Sequence, residues 1–318
     1  MNHTLTLLRN AECAMKVFHY TDEFILENGK VLNGIDITYI TYGNLNADKS
    51  NVVWVCHALT ANADPTDWWK GLVGAGCAID TEKYFIVSAN ILGSCYGTTG
   101  PLSINPKTNQ AYYSDFPSIT IRDMVQAHIL LRQHLGIEKI YLLMGGSMGG
   151  YQVLEWSIME KNVIEHLFLI ATSPSESAWG VAVHTAQRLA IEADITWNEH
   201  TPDAGARGLK AARAIGMLTY RNYGIYQEKQ TDPDPEKIDD FRVSSYIIYQ
   251  GDKLVKRFNA YSYWLLTKAM DSHHLGRKRG GDLIKALQSI QQKTFIIGIT
   301  SDILCPLDEQ RFMMQHMP

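Results

Sequence analysis

The sequence predicts an α/β fold, with a mostly parallel, doubly wound sheet and an inserted helical cap. Short apolar runs that suit buried strands recur at residues 51–56, 84–89 and 166–171, and helical patterns alternate with such runs. Strands that alternate with helices are typical of a parallel sheet covered on both faces. Residues 173–281 break this alternation with consecutive helical patterns, and this stretch predicts the cap.

The domain prediction follows from that break. We expect a core made of residues 1–172 and 282–318, with residues 173–281 inserted as a cap. A charged, proline-containing segment at 227–237 is predicted to be a loop inside the cap. The helices predicted for the cap span residues 178–193, 204–220, 240–258 and 261–270.

Composition excludes several classes of function. Apolar residues make up 46% of the 318, and the formal net charge is −4, so no basic excess favours nucleic acid or anionic membrane. The five cysteines are scattered and form no Cys-x-x-Cys pair, which suits reduced thiols in a cytoplasmic protein. No apolar run reaches the roughly 18 residues of a membrane span. The adjacent His273 and His274 lack metal-ligand spacing, and no metal site is expected.

The N-terminal part of the predicted core contains two candidate strands. Residues 24–32 and 35–42 are rich in β-forming side chains, and the second run alternates apolar with polar residues. That alternation is typical of a half-buried antiparallel strand. We expect the two strands to be joined near the Asn-Gly pair at 33–34.

The clearest chemical pattern is Gly-Gly-Ser-Met-Gly at residues 145–149. An apolar run at 140–144 precedes it and a helical pattern at 151–161 follows it. This context, strand then Gly-x-Ser-x-Gly then helix, is that of a nucleophile elbow, in which small neighbours let a substrate approach the serine hydroxyl. The pattern predicts that Ser147 is a catalytic nucleophile.

A serine nucleophile also needs an oxyanion hole and an acid that orients its base. The oxyanion donors expected in this type of site are the N–H of Met148, directly after the serine, and the N–H of Leu59, in a loop after an earlier strand. Asp302 follows a predicted strand at 294–300 and is the candidate acid. The alternative for Asp302 is a cap of the helix predicted to begin near residue 307.

The base is the unfilled role. The chain order expected is Ser, Asp, His, and His316 alone lies beyond Asp302 in this sequence. His316 falls within a predicted helix at 307–317, with no strand between, so a helix-surface histidine is the alternative to a base. His57, beside the oxyanion loop, is interpreted as structural. We expect that these 318 residues stop short of a final strand, a histidine loop and a last helix.

Several longer motifs extend the pattern from about residue 24 to 306, and on them the chain resembles the homoserine O-acetyltransferase family of the α/β-hydrolase superfamily. The resemblance implies the α/β-hydrolase fold, with Ser147 as nucleophile, Asp302 as acid and Arg213 as the arginine that binds substrate. The family's Gly-His-Asp segment has no counterpart here; it supplies the catalytic histidine and a carboxylate for the substrate's amine. The matching motifs are Val-Cys-His-Ala-Leu-Thr (55–60), Asn-Ile-Leu-Gly-Ser-Cys-Tyr-Gly-Thr-Thr-Gly-Pro (90–101), Ile-Arg-Asp (121–123), Gly-Gly-Ser-Met-Gly-Gly (145–150), Leu-Thr-Tyr-Arg (218–221), Gln-Gly-Asp-Lys-Leu (250–254), Ser-His-His-Leu-Gly-Arg-Lys-Arg-Gly-Gly (272–281) and Gly-Ile-Thr-Ser-Asp (298–302).

The activity implied by the resemblance is transfer of an acetyl group from acetyl-CoA to L-homoserine through an acyl-serine, a step of methionine biosynthesis. Acetyl-CoA is then a co-substrate, no further cofactor is expected, and the resemblance implies a homodimer formed through the cap. The basic turn at 277–279 is either near the phosphates of coenzyme A or a solvated surface turn. Three alternatives remain open: a homoserine O-succinyltransferase, a serine esterase of the same fold, and a catalytically inactive α/β hydrolase used for binding.

Overall fold

The structure, a computed structural model, describes residues 15–318. Strands and helices alternate along much of that range. The strands are β1 (Lys16–Ile25), β2 (Val31–Tyr42), β3 (Val52–Cys56), β4 (Phe85–Ala89), β5 (Ile104–Asn105), β6 (Gln110–Ala111), β7 (Ile140–Gly146), β8 (Ile164–Ile170) and β9 (Lys293–Ile297). The helices are α1 (Pro65–Trp68), α2 (Ile121–His134), α3 (Met148–Met159), α4 (Ala178–Glu192), α5 (Ala206–Tyr220), α6 (Tyr223–Gln230), α7 (Arg242–Val255), α8 (Ala260–Asp271), α9 (Leu283–Gln288) and α10 (Leu307–His316).

Seven of these strands form the central sheet, in the order β1-β2-β4-β3-β7-β8-β9. The strands from β4 to β9 in that order are parallel, and the β1–β2 hairpin adds to β4 antiparallel. The continuous apolar run of β3 is buried because both faces of the sheet are covered: Trp54 packs into one core and Val53 and Val55 into the other. The predicted doubly wound, mostly parallel sheet is confirmed.

The first hairpin differs from the prediction. Its turn lies between β1 and β2 and contains Gly29, which has a φ of +84°. Gly34 also has a positive φ, +80°, but it lies inside β2, opposite a register shift in β1 between Tyr20 and Glu23. The Asn-Gly pair therefore marks a β-bulge instead of the turn. The predicted strand at 24–32 is wrong because it spans the true turn.

The chain between β8 and β9 contains only helices as regular elements of the described residues, from α4 to α9. Helices α4, α5, α7 and α8 confirm the four predicted ones. The predicted loop at 227–237 is wrong in its first part, since α6 extends to Gln230. The Asn222 side chain caps α6 by accepting a hydrogen bond from the N–H of Ile225. The domain boundaries at residues 173 and 281 stay a prediction.

The topology brings three loops to one edge of the sheet. Strands β3, β7 and β9 are parallel, so their carboxyl ends point the same way. Ligand sites of open α/β sheets lie at this edge. The loops that follow these three strands carry Leu59, Ser147 and Asp302 respectively.

Candidate active site

Ser147 occupies the sharp turn between β7 and α3. Its φ of +53° and ψ of −128° lie in a region that residues with a side chain rarely adopt. The turn is held from both sides: the Ser147 N–H lies 3.1 Å from the carbonyl oxygens of both Ile170 and Ala171, and its own carbonyl oxygen accepts a hydrogen bond from Thr172 Oγ1 at 2.8 Å. This strained, over-determined backbone is that of a nucleophile elbow.

The glycines around Ser147 are required by close backbone packing. A Cβ on Gly149 would overlap the carbonyl oxygen of Cys56 on β3, and a Cβ on Gly150 would overlap the Thr172 side chain. A Cβ on Gly145 would in turn overlap the backbone of Gly149. Glycine at these positions lets α3 begin directly against the sheet edge.

The serine faces a cavity of about 490 Å³ that also brings together three of the four other predicted site residues. Leu59, Arg213 and Asp302 line it with Ser147, although the four come from parts of the chain more than sixty residues apart. Met148, the fourth, follows the serine as the buried first residue of α3 and does not line the cavity. The remaining lining residues are Ala58, Thr60, Ala61, Ala171, Thr219, Tyr220, Arg221, Asn222, Ile225, Ile299, Ser301, Leu304 and Cys305.

The predicted oxyanion donors lie on a loop and a helix that are fastened together. Met148 is the first residue of α3, so its N–H has no acceptor within the helix. One side-chain amide, that of Gln152, donates to the carbonyl oxygens of both Met148 and His57, at 3.1 Å each. This link holds the Leu59 loop next to the start of α3.

His57 supports that loop and is not available as a base. Its Nε2 accepts a hydrogen bond from the Ile91 N–H at 3.0 Å, which places its proton on Nδ1, 2.9 Å from the Ala58 carbonyl oxygen. Burial lowers the pKa of His57 to about 4, against a smaller opposing effect of the Ala58 carbonyl. The structural interpretation of His57 is confirmed.

Asp302 lies in the loop after β9 and stabilises that loop locally. Its Oδ1 accepts hydrogen bonds from the N–H groups of Leu304 and Cys305, at 2.8 and 2.9 Å. The residue at the N-cap of α10 is Pro306, so the alternative role of Asp302 as the cap of that helix is wrong. Cys305 is buried beside it, and burial, with a smaller contribution from the Asp302 charge, raises the pKa of the thiol.

Arg213 approaches the cavity from α5. Its guanidinium carbon lies 5.2 Å from the centre of the Tyr220 ring, which is about two turns further along the same helix, in a cation–π arrangement. Within residues 15–318, Arg213 has no carboxylate within ion-pair distance, and its buried Nε has no hydrogen-bond partner. A half-buried cation without an anionic partner is suited to bind an anionic ligand.

None of the histidines among residues 15–318 lines the cavity. His316 lies in the last turn of α10, where its ring contacts that of Phe312 at a centroid distance of 4.6 Å. The structure thus places His316 on a helix surface and does not bring it to Ser147. The role of base is filled by none of the described histidines.

Comparison with known proteins identifies the family of this chain. Residues 51–318 match the family model of the alpha/beta hydrolase fold. A homoserine O-acetyltransferase of Cyclobacterium marinum is 47% identical over 307 residues, which cover 96% of this chain and 87% of the relative. The chain belongs to the homoserine O-acetyltransferase family of α/β hydrolases.

Solved structures extend the similarity to three dimensions. The crystal structure of homoserine O-acetyltransferase from Bacillus anthracis matches with a TM-score of 0.85 and 26% identity, over 95% of this chain and 87% of that one. An esterase structure matches with a TM-score of 0.85 and 25% identity, over 96% of this chain and 89% of that one. The fold is therefore shared by acetyltransferases and esterases, while the higher sequence identity is with the acetyltransferases.

In this member of the acetyltransferase family, the basic turn at 277–279 is neither free nor simply solvated. Arg277 pairs with Glu27 at 2.6 Å, and Arg279 pairs with Glu155 at 2.7 Å. Arg122, at the start of α2, contacts both of these carboxylates, at 2.9 and 3.1 Å. The interpretation as a simply solvated turn is therefore wrong for its two arginines, whose pairing carboxylates are distant in sequence. A position near the phosphates of coenzyme A stays a prediction.

Sequence reasoning missed three cavity residues, Tyr220, Arg221 and Cys305. The first two belong to the Leu-Thr-Tyr-Arg motif at 218–221, and the third lies three residues after Asp302. The sequence therefore revealed the motif, but it did not show which of the motif's side chains would face the serine.

Every helix among residues 15–318 is too short or too polar to serve as a membrane span. No group of three or more His, Cys, Asp or Glu side chains in the same range is placed to hold a metal ion.

Proposed function

We propose that this chain transfers an acetyl group from acetyl-CoA to the side-chain hydroxyl of L-homoserine, forming O-acetylhomoserine for methionine biosynthesis. One observation carries the proposal: in a chain of this family, the strained Ser147 and the unpaired Arg213 line the same cavity. The serine is suited to carry the acyl group, and the guanidinium is suited to the carboxylate of an amino-acid acceptor.

In the first step, Ser147 Oγ attacks the thioester carbonyl carbon of acetyl-CoA. The carbon–sulfur bond breaks, coenzyme A leaves as the thiol with the proton that the serine lost, and an acetyl ester remains on Ser147. Negative charge develops on the carbonyl oxygen, and the N–H groups of Met148 and Leu59 stabilise it. Removal of one such donor typically costs a hundredfold or more in rate, about 2.7–4 kcal/mol.

In the second step, the homoserine hydroxyl oxygen attacks the acetyl carbon, its proton passes to the base, and the ester bond to Ser147 breaks as the serine regains a proton. Arg213 positions the acceptor because a planar guanidinium binds a carboxylate through two parallel hydrogen bonds. The helical segment over the cavity limits the access of water, which would otherwise hydrolyse the acetyl-enzyme.

Proton transfer in both steps needs a general base, and Asp302 is the group proposed to orient it. Since the described histidines lie elsewhere, we expect slow turnover by the 318-residue protein and faster turnover when imidazole is added as an external base. Replacement of His316 by Gln should leave both rates unchanged. A large loss of activity in His316→Gln would instead identify His316 as the base.

The proposed function is tested by following free thiol and O-acetylhomoserine together. Purified protein is incubated with acetyl-CoA in the presence and absence of homoserine, with and without imidazole. The proposal predicts equal amounts of thiol and O-acetylhomoserine, and little thiol without homoserine. Thiol release that does not depend on homoserine, with acetate as the product, would support an esterase and contradict the transferase.

Acyl specificity is tested by the same assay. Replacing acetyl-CoA with succinyl-CoA should reduce thiol release, since the proposal assigns acetyl transfer to this chain. Faster release with succinyl-CoA would make the protein a succinyltransferase. Saturable substrate binding with no transfer to homoserine under any of these conditions would favour the inactive binding protein.

We also propose that the protein is a cytoplasmic homodimer that associates through the helices between β8 and β9. Support comes from large apolar side chains that are exposed on this segment, including Tyr223 on α6 and Ile248 and Tyr249 on α7. Replacing Ile248 by Asp should convert a dimer to a monomer in light scattering, whereas Ile104→Asp on β5 should not. A wild-type monomer at micromolar concentration would rule this assembly out.

A further inference from the structure

Arg221 is a second guanidinium on the active-site cavity. It follows the last residue of α5, it is exposed, and it lines the cavity together with Arg213. No carboxylate of residues 15–318 lies within ion-pair distance of it. Arg213 is half-buried by comparison, so the two cations differ in depth: Arg213 is the inner one and Arg221 the outer one.

Two other cations near this region are already engaged. Lys210, earlier on α5, pairs with Asp252 at 2.7 Å. Arg257 donates hydrogen bonds to the carbonyl oxygen of Thr60, itself a cavity residue, and to the hydroxyl of Tyr96. Together with the paired arginines of the basic turn, this leaves Arg221 as a cation that faces the cavity without an anionic partner in the described part of the chain.

The chemistry of the proposed reaction requires two anion sites of different depth. Homoserine carries one carboxylate, close to its reacting hydroxyl, which matches the inner guanidinium. The acyl donor carries its charges as phosphates, at the far end of a long neutral arm from the thioester. A donor with its thioester at Ser147 therefore presents its phosphates near the opening of the cavity, where the exposed arginine lies.

We propose that Arg221 binds a phosphate group of the acyl donor at the cavity opening and thereby determines the preference for a nucleotide-bearing thioester. This inference rests on the proposed function. An arginine fork is well matched to phosphate oxygens, and an exposed one gains affinity mainly through charge-assisted hydrogen bonds that salt weakens.

The experiment measures binding by calorimetry and therefore does not depend on turnover. The ligands are coenzyme A, its 3′-dephospho form, and pantetheine, which shares the thiol arm but has no phosphate. The proteins are wild type, Arg221→Gln and Arg221→Lys, with Arg207→Gln as the matched control, since Arg207 is exposed at the opposite end of α5 and does not line the cavity. Thermal unfolding of each variant verifies its fold.

We expect Arg221→Gln to weaken coenzyme A binding about tenfold, the usual size of one charge-assisted contact, and to leave pantetheine binding unchanged. Arg221→Lys should show a smaller loss, and Arg207→Gln none. Dephospho-coenzyme A shows which phosphate Arg221 contacts. If its affinity for wild type is as low as that of coenzyme A for Arg221→Gln, the partner is the 3′-phosphate. If its affinity for wild type is higher than that, the partner is the diphosphate.

Equal affinity of wild type and Arg221→Gln for coenzyme A would overturn this inference and leave the proposed function intact. An equal loss for pantetheine and coenzyme A would also overturn it, because the phosphate would not be what Arg221 recognises. If wild type binds neither coenzyme A nor pantetheine, the proposed function fails and this inference fails with it.

Discussion

The backbone of Ser147 has a cost in stability that its role explains. A φ of +53° with a ψ of −128° is unfavourable for any residue with a Cβ. Ser147→Gly should therefore raise the free energy of unfolding by about 1 kcal/mol, since relief of roughly 1–3 kcal/mol of strain exceeds the roughly 0.5–1 kcal/mol of extra entropy that glycine loses on folding. Ser147→Ala keeps the strain and should unfold like wild type. Denaturant midpoints check both values.

Both Ser147 variants should also lose acetyl transfer. An equal stability of Ser147→Gly and Ser147→Ala would mean that the turn is not strained. A useful control is Ser245→Gly, at an exposed position inside α7, which should destabilise the protein because glycine is unfavourable within helices.

Arg213 should contribute to the binding of one substrate only. Arg213→Ala is expected to raise the Michaelis constant for homoserine by roughly 30- to 150-fold, the equivalent of about 2–3 kcal/mol for a charge-assisted contact, and to leave that for acetyl-CoA nearly unchanged. Steady-state kinetics with each substrate varied in turn measures this. Arg207→Ala, at the other end of α5, is the control, and an unchanged homoserine constant in Arg213→Ala would remove this residue from the site.

At the residue scale, the sequence indicated much of the candidate site. Gly-x-Ser-x-Gly between a strand and a helix predicts the proposed nucleophile from local pattern alone, and the predictions of Leu59 and Asp302 follow from the ends of parallel strands. Arg213 came only from family resemblance. Tyr220 and Arg221 could not be predicted as cavity residues, because the direction of the last turn of α5 depends on its packing against α4 and α7.

Among the elements, α3 is the one whose position the site depends on most. Its first turn lies so close to β3 that a Cβ on Gly149 would overlap the Cys56 carbonyl oxygen. Gly149→Ala should therefore push α3 away from the sheet, lower the free energy of unfolding by about 1–3 kcal/mol, as overpacking does, and abolish transfer. Gly29→Ala is the matched control, since no atom lies within 4 Å of the added methyl group and only its φ of +84° opposes it.

Unfolding midpoints and product formation on the two glycine variants test this account of the elbow. If Gly149→Ala keeps wild-type activity, the contact between α3 and β3 does not position the nucleophile. If Gly29→Ala loses activity to the same extent, the effect is a general one of glycine replacement.

The boundaries predicted from the hydrophobic pattern were correct where elements are long and buried. They were wrong where a short motif is compatible with two local structures. An Asn-Gly pair suits a hairpin turn and a β-bulge equally, and the pairing of Gly34 with the irregular part of β1 decides between them. Helix α6 was missed because none of its residues is buried, so it has no apolar stripe to reveal it.

For the whole molecule, buried histidines predict sensitivity to acid. Burial lowers the pKa of His57 and of His128 to about 4 and that of His273 to about 3. In the unfolded chain these groups titrate near 6.5, so below that pH the unfolded state binds more protons than the folded state. Stability should be fully present above about pH 6.5 and fall as the pH drops towards 4, by up to roughly 1.4 kcal/mol per pH unit for each histidine.

One buried and one half-buried carboxyl group act in the opposite direction. Burial raises the pKa of Asp123 and of Glu176, so they favour the folded state in acid and offset part of the loss. Denaturant unfolding at a series of pH values measures the net slope. His128→Gln should reduce that slope by about one third of the histidine contribution, while His200→Gln, at an exposed position, should not change it. A stability that is flat from pH 7 to 4 would contradict this account.

The fold class of the whole molecule was accessible from sequence because buried parallel strands have long apolar runs, and β3, β4, β7 and β8 all show them. The position of the inserted helices over the cavity could not be predicted from the sequence. It depends on pairings such as Arg277 with Glu27 and Arg279 with Glu155, whose partners are more than a hundred residues apart.

The central claim is that Ser147 carries the acetyl group from acetyl-CoA to homoserine. Its most direct test uses isotopically labelled acetyl-CoA, with imidazole present, followed by digestion and mass spectrometry of the protein. We expect label on Ser147 in the absence of homoserine, loss of that label as O-acetylhomoserine when homoserine is added, and no label in Ser147→Ala. Label that remains in Ser147→Ala, or that leaves wild type only as acetate, would contradict the account.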